Sequence, residues 1–340
     1  MDLTALKVIT LGDIEAAAQK GAKEVQIAEG AIVTPSAKEA LAVRGISART
    51  GPASSGASAP AADPRLAEIF TCAEAEAAKA EICAVGKKLW MRQYVDGNGG
   101  NISYRIGPNE VICTPTLCSK YDLTPADMCM VDLTGKQLAG GRARTSEILL
   151  HLEIYKEVPE AKAVVHCHPP HATAYAITNK VPPTCVIPEY EVFIGKVALS
   201  PYETPGSADF ARTVLPYVRT HNTVLLSNHG IVCWGDSVTH AEWYVEVVDT
   251  YCWTLMLAQQ LGTPISHIGP DKAADLLAIK KKLGLPDPRH DMKECQLCDL
   301  PDIPGGIAIT PKQCVSGEGD TEKLVQSITD EVMAALARKG

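Results

Sequence analysis

The run Ala163-Val164-Val165-His166-Cys167-His168 ends at Pro169-Pro170, and that ending constrains the chain more than any other stretch. The apolar start reads as a strand, and two prolines cannot continue a hydrogen-bonded ladder, so the strand stops there. Side chains alternate faces along a strand, which puts His166 and His168 on one face and Cys167 on the other. Two imidazoles aimed at one point at a strand end are half of a metal site. His171, past the prolines, reads as a supporting residue and not a ligand. A plain polar strand end has the same spacing, so a third ligand must come from elsewhere.

Leu225-Leu226-Ser227-Asn228-His229-Gly230 offers one: an apolar run, then His229 before a glycine that permits a sharp turn. Three imidazoles with an open fourth position describe a catalytic zinc, or another divalent ion, not a closed structural site. In Arg144-Thr145-Ser146-Glu147, Thr145 or Ser146 would cap the helix that Glu147 begins. Such a turn can bind a phosphate while the carboxylate moves protons, although Ser and Glu are also ordinary at helix starts. The stretch from Asp96 to Ser103, rich in Gly and Asn, is a turn feeding a strand whose amides could approach an anion. It lacks the GxGxxG and GKS patterns of nucleotide sites, and a tight hairpin explains it equally well.

A formal net charge of −8 argues against a nucleic-acid or anionic-membrane partner. No stretch approaches the roughly 20 apolar residues of a membrane span, and the acidic start does not resemble a secretory signal, so a cytoplasmic protein is expected. The 12 cysteines are scattered and read as reduced core thiols; Cys295-Gln296-Leu297-Cys298 is a close pair with no second pair at zinc spacing, a redox or packing element.

Residues 1–46 read as a small N-terminal segment, with a helix over Leu11 to Gly21, a strand from Glu24, and Ser36 capping a helix over Ala37 to Arg44. A unit this short has too little to bury for a core of its own and reads as a docking piece. Residues 47–64, dominated by Ser, Gly, Ala and Pro, read as a flexible linker. Strands and helices then alternate through an α/β catalytic domain placed at 65–275, followed by an extended tail over 276–320. Residues 321–340 carry Leu324, Ile328, Val332 and Leu336 every four positions, an amphipathic terminal helix that packs on its own domain or on a partner.

Taken in order, GNGGNIS, ICTPT, RTSEILLH, AVVHCHPPH and LLSNHG resemble the class II aldolase/adducin family over about residues 75–260, most of all its L-fuculose-phosphate aldolase branch. The resemblance implies an αβα sandwich around a mostly antiparallel sheet and a homotetramer with sites between subunits. It also implies zinc on His166, His168 and His229, with Glu147 as the proton-transferring carboxylate. A phosphate pocket would come from Gly100, Asn101, Thr116, Thr145 and Ser146. The family usually has glycine after the TPT threonine, where this chain has Leu117, so Ser119 or Lys120 would compensate. Tyr190 is the candidate for the family's catalytic tyrosine. The expected reaction cleaves a ketose 1-phosphate to dihydroxyacetone phosphate and lactaldehyde; the alternatives are an epimerase, decarboxylase or dehydratase of the same fold, or a non-catalytic adducin-like scaffold.

The terminal helix looks like the encapsulation peptides of bacterial microcompartments, and GAIVTPSAKEALAVRGI resembles a segment recurring in proteins of those compartments, so shell or core proteins are candidate partners. Deleting Thr321 to Gly340 is then expected to spare activity and abolish co-sedimentation with shell proteins; a chain that no longer folds would instead make the helix part of the core.

Overall fold

The computed structural model describes residues 1–298 apart from 5, 7 and 52–62. Its first elements are β1 (Asp2–Leu3), β2 (Val8–Ile9), α1 (Leu11–Gln19), β3 (Glu24–Ala28), β4 (Ile32–Val33), α2 (Pro35–Val43) and β5 (Ser47–Gly51). Then come α3 (Pro64–Thr71), α4 (Ala73–Met91), β6 (Asn101–Arg105), β7 (Glu110–Cys113), β8 (Cys129–Asp132), β9 (Gln137–Ala139), α5 (Ile148–Glu157) and β10 (Ala163–Cys167). The rest are α6 (Pro170–Ile177), α7 (Pro188–Phe193), β11 (Ala198–Ser200), α8 (Ala208–Arg212), β12 (Thr223–Leu226), β13 (Gly230–Gly235), α9 (Val238–Gln260) and α10 (Pro270–Lys282).

β10, the strand that ends at the prolines, lies inside a mixed eight-stranded sheet of order β11-β12-β13-β10-β6-β7-β8-β9. β11 and β12 run parallel, and the other neighbours are antiparallel. Alternation divides the strand residues between two cores. Val165, Cys167, Ile102 and Ile231 pack with Ile82 and Leu89 of α4, Ala172 of α6 and Val248 of α9. Val164, Val111, Val131 and Val232 pack on the opposite face with Ile148 and Leu152 of α5 and Phe210 of α8. Strands buried on both faces need apolar residues at every position, which is why a polar residue such as His166 stands out in one. The register sets Asn101 and Val232 directly across from His166, so Asn101 shares its face.

The N-terminal unit departs from expectation. Ser47–Gly51, placed in the linker by composition, is a strand pairing parallel with β3. The added strand completes a three-stranded sheet, β1-β3-β5, and the unit encloses its own core of Ile9, Ile14, Val25, Ile27, Ala37 and Ile46. The cap of α2 is Thr34, whose Oγ1 accepts from the Ala37 amide at 3.3 Å, and not Ser36. Pro35 takes the first helical position, where its missing N–H and fixed φ suit the helix, so the helix starts earlier than the Ser36 reading allows. At the other end, α10 crosses the expected boundary at 275. The expected terminal helix lies outside the described residues.

A buried ion cluster fastens the segment after α10 to α7. Arg289 donates through Nε and Nη2 to the two oxygens of Asp287 and through Nη1 to Glu191, each at 2.9 Å. Lys280 approaches Asp287 at 3.3 Å, and Cys298, expected as a thiol, instead forms a disulfide with Cys185. The sequence reading missed this pair because its partners are 113 residues apart. Gly195 makes room for the cluster, since a Cβ there would lie 1.9 Å from Asp287 Oδ2. Burial alone would raise the Asp287 carboxyl, but the Arg289 hydrogen bonds and the Lys280 and Arg289 charges hold it down at about 2. Arg289→Ala leaves buried charge unpaired and is expected to lower the unfolding free energy at pH 7 by about 3–5 kcal/mol in urea titrations. A depressed carboxyl contributes stability above its ordinary value of 3.8 and loses it as pH falls through about 2, so the deficit of the variant should shrink over that acid range.

Candidate metal centre and active site

Three histidines from two strand ends converge. The Nδ1–H of His166 donates to the Ile231 carbonyl at 2.9 Å, which leaves the lone pair on Nε2. His168 stands just beyond β10 with its amide on the Tyr94 carbonyl at 2.8 Å, and its Nε2 lies 3.2 Å from that of His166. His229 sits in the β12–β13 hairpin, its amide on the Leu226 carbonyl at 3.0 Å. The left-handed position of this hairpin is Asn228, with φ 55°. Gly230 serves another purpose than the sharp turn read from sequence: a Cβ there would meet the Cys167 carbonyl at 2.5 Å and His168 Cδ2 at 2.6 Å. The hairpin can close on the end of β10 only without a side chain at that position.

Among the described residues, His166, His168 and His229 each offer a ligand atom within 4.8 Å of the others. Burial pushes all three imidazoles toward the neutral form, His166 well below its ordinary value and His229 down to about 4, and the rings disfavour one another's charge at His166 and His168. Neutral imidazoles are the ligand form, and bonds of about 2.0–2.1 Å at a tetrahedral angle put two ligand nitrogens about 3.3 Å apart. The donor set and the spacing fit a divalent cation. His229 Nδ1 is also buried without a hydrogen-bond partner among the described residues.

Glu147 faces this group. It is the N-cap of α5, the place expected of Thr145 or Ser146, so the helix begins one position later than expected, and the Glu147 amide donates to Thr145 Oγ1 at 3.4 Å. One carboxylate oxygen, Oε2, is 3.3 Å from His166 Nε2 and accepts from Asn101 Nδ2 at 2.8 Å; the other, Oε1, is 3.6 Å from His229 Nε2. Burial raises the Glu147 pKa, opposed by the Asn101 hydrogen bond and the charges of His168 and Lys120. A carboxyl pulled both ways in a half-dry site is suited to exchanging a proton.

Behind Glu147 runs a polar chain that motif reading passed over. His151 Nε2 meets Asn101 Oδ1 at 2.5 Å, His151 Nδ1 meets Ser103 Oγ at 2.7 Å, and Ser103 Oγ meets the Tyr155 hydroxyl at 2.8 Å. Burial lowers His151 to about 3, so it carries one ring proton. With Asn101 donating to Glu147, its oxygen accepts from His151 Nε2–H, His151 Nδ1 accepts from Ser103, and Ser103 accepts from Tyr155. The signal was present as spacing: positions 147, 151 and 155 recur every four residues, one face of a helix.

The remaining candidates divide. Gly100 is required by packing: at φ 69° it lies where a Cβ would be 2.6 Å from Val95 Cγ1 and 2.9 Å from the His166 carbonyl. Thr116 and Ser146 line a cavity of about 290 Å³ together with Asn98 and Arg144, two residues the sequence did not single out. Thr145 is buried beside the Glu147 amide. Lys120 does not reach toward an anion; it is buried, lowered to about 8 by desolvation, and donates to the Asn98 and Cys118 carbonyls at 3.0 and 2.9 Å. Ser119 accepts from the Tyr121 amide at 3.3 Å, so neither residue replaces a glycine amide. Tyr190 is corrected as well: only 1% exposed, it stacks on Tyr251 at 3.8 Å within the apolar core, and its hydroxyl has no hydrogen-bond partner among the described residues. Tyr190 borders a surface hollow with Arg92, Glu246 and Thr250, and none of the three histidines lines that hollow. His171 bonds Asp249 at 2.9 Å and stacks on Trp253, outside the ligand group.

A family model described as Class II Aldolase and Adducin N-terminal domain matches residues 80–256. The L-fuculose phosphate aldolase of Methanococcus maripaludis is 37% identical over 169 residues, 50% of this chain and 91% of that protein. The 3-oxo-tetronate 4-phosphate decarboxylase of Haemophilus influenzae is 34% identical over 161 residues, 46% of this chain and 76% of that protein. Among solved structures, YgbL from Klebsiella pneumoniae, described as an aldolase, epimerase or decarboxylase, is 26% identical with a TM-score of 0.54, covering 59% of this chain and 98% of that one.

Metal analysis of the purified protein is expected to find one divalent ion per chain after reconstitution with zinc, and His166→Ala to abolish it while the circular dichroism spectrum is kept. Full loading of that variant would remove His166 from the ligand set.

Proposed function

The chain belongs to the class II aldolase and adducin family, and from that premise we propose that it is a metal-dependent lyase cleaving a ketose 1-phosphate, such as L-fuculose 1-phosphate, to dihydroxyacetone phosphate and lactaldehyde. The observation that carries the reading is Glu147, held 3.3 Å from His166 and 3.6 Å from His229 beside a three-histidine cluster. A zinc or similar ion on His166, His168 and His229 would polarise the substrate carbonyl and steady the negative charge that develops as the carbon–carbon bond breaks. As the bond breaks, the hydroxyl of the departing half gives up its proton to solvent and becomes the aldehyde, and Glu147 delivers a proton to the carbon left electron-rich, removing it in the synthetic direction. Asn101 ties down Oε2, so Oε1 is the oxygen free to work. The Tyr155-Ser103-His151 chain in turn fixes which way the Asn101 amide faces. Gly100, Asn101, Thr116, Thr145 and Ser146 would receive the phosphate. The sites of a homotetramer and the loading of the chain into a microcompartment through its termini belong to the same proposal.

A second reading follows from the Haemophilus relative. Loss of carbon dioxide from a 3-oxo acid phosphate also leaves a carbanion next to a carbonyl, and asks the same of the ligand group and of Glu147. A panel of ketose 1-phosphates and 3-oxo acid phosphates separates the two: dihydroxyacetone phosphate marks the aldolase, carbon dioxide the decarboxylase. In either case Glu147→Gln should lower kcat by about 10²–10⁴ with bound metal unchanged. Full kcat in that variant would sink the assignment.

A further inference from the structure

The cavity that holds Thr116 and Ser146 has a second wall. Gly12 of α1, Thr34 at the cap of α2, and Ser36 of α2 line it from the N-terminal unit, opposite Thr116, Leu117 and Ser146 of the sheet domain. That unit is thus more than a satellite with its own core; it shares a space with the residues proposed to receive phosphate. Leu117 adds an independent observation. It adopts φ 55°, the left-handed region, where a side chain clashes with the backbone and glycine does not. Its large apolar side chain is nevertheless 54% exposed, and it borders the cavity. Strain of this kind persists only where the surroundings over-determine it, and Leu117 shares its surroundings with Thr116, Arg144 and Ser146 of the cavity. An exposed leucine in an unfavourable backbone state gains burial only when something occupies the space beside it.

We propose that the N-terminal unit, through the first turns of α1 and α2, forms the outer wall of the substrate cavity, and that Leu117 and this wall together select the phosphorylated end of a small sugar substrate by its size. This rests on the lyase reading above. Filling the wall from the N-terminal side should then weaken substrate binding without touching the chemistry, because Glu147 and the three histidines lie on other elements.

Two measurements on the full-length, metal-loaded chain test it. Hydrogen exchange is followed at residues 10–12 and 36–37 with and without inorganic phosphate, and protection is expected to rise severalfold. In steady-state kinetics, Ser36→Trp should raise KM for the phosphorylated substrate roughly tenfold or more with kcat within about twofold, and Ser36→Thr should restore it. Leu117→Gly should narrow the KM difference between short and bulkier phosphorylated substrates. If the wild type cleaves substrate and Ser36→Trp leaves KM unmoved, the wall is not part of the site and the proposal is overturned. If the wild type yields neither dihydroxyacetone phosphate nor carbon dioxide, the lyase reading fails while the exchange experiment still decides: protection by phosphate at those amides supports the wall, and its absence overturns it.

Discussion

The hydrogen bond from His166 Nδ1 to the Ile231 carbonyl is the contact on which the site depends, because it makes the sheet itself decide which nitrogen of that imidazole faces the histidine cluster. Strand pairing brings β13 beside β10, the carbonyl across the ladder takes the Nδ1 proton, and Nε2 is left facing His168 and Glu147. Burial reinforces this by disfavouring the imidazolium. A ligand fixed by backbone geometry in this way loses little freedom on binding an ion, which is the physical content of preorganisation.

The surrounding residues follow from that fixed point. Asn101 faces His166 from the neighbouring β6 and holds Glu147, while His151, itself held by Ser103, holds Asn101. Every member has a partner, so the chain is rigid where a half-satisfied one would be costly. Two glycines serve the same end by absence: Gly100 and Gly230 stand where any Cβ would collide with the backbone of β10 or the residue after it. The polar network and the two gaps in side-chain volume are together what bring a hairpin, a loop and a helix start onto one strand end.

The chain supports this arrangement from outside through contacts of a different kind. The Arg289, Asp287, Glu191 and Lys280 cluster joins residues nearly 100 positions apart, as shown by the separation of 98 between Arg289 and Glu191. The N-terminal unit closes its core only when β5 pairs with β3. Composition put β5 in a linker because Ser47-Ala48-Arg49-Thr50-Gly51 has no apolar alternation; its strand character comes from pairing, not from its own side chains.

The sequence by itself determined the strand at Ala163–Cys167, the helix from Leu11 and the strand from Glu24 in the N-terminal unit, and the residue types that meet at the cluster. Apolar runs, prolines and histidine spacing are local, and local patterns can be read directly. What only the tertiary structure decided is who faces whom. Asn98 and Arg144 line the cavity and His151 supports Asn101, while Lys120 turns inward to two carbonyls and Tyr190 stacks on Tyr251 of α9. Those outcomes depend on strand order and register, and a one-residue shift in register reverses every face, so no reading of neighbours along the chain could have supplied them.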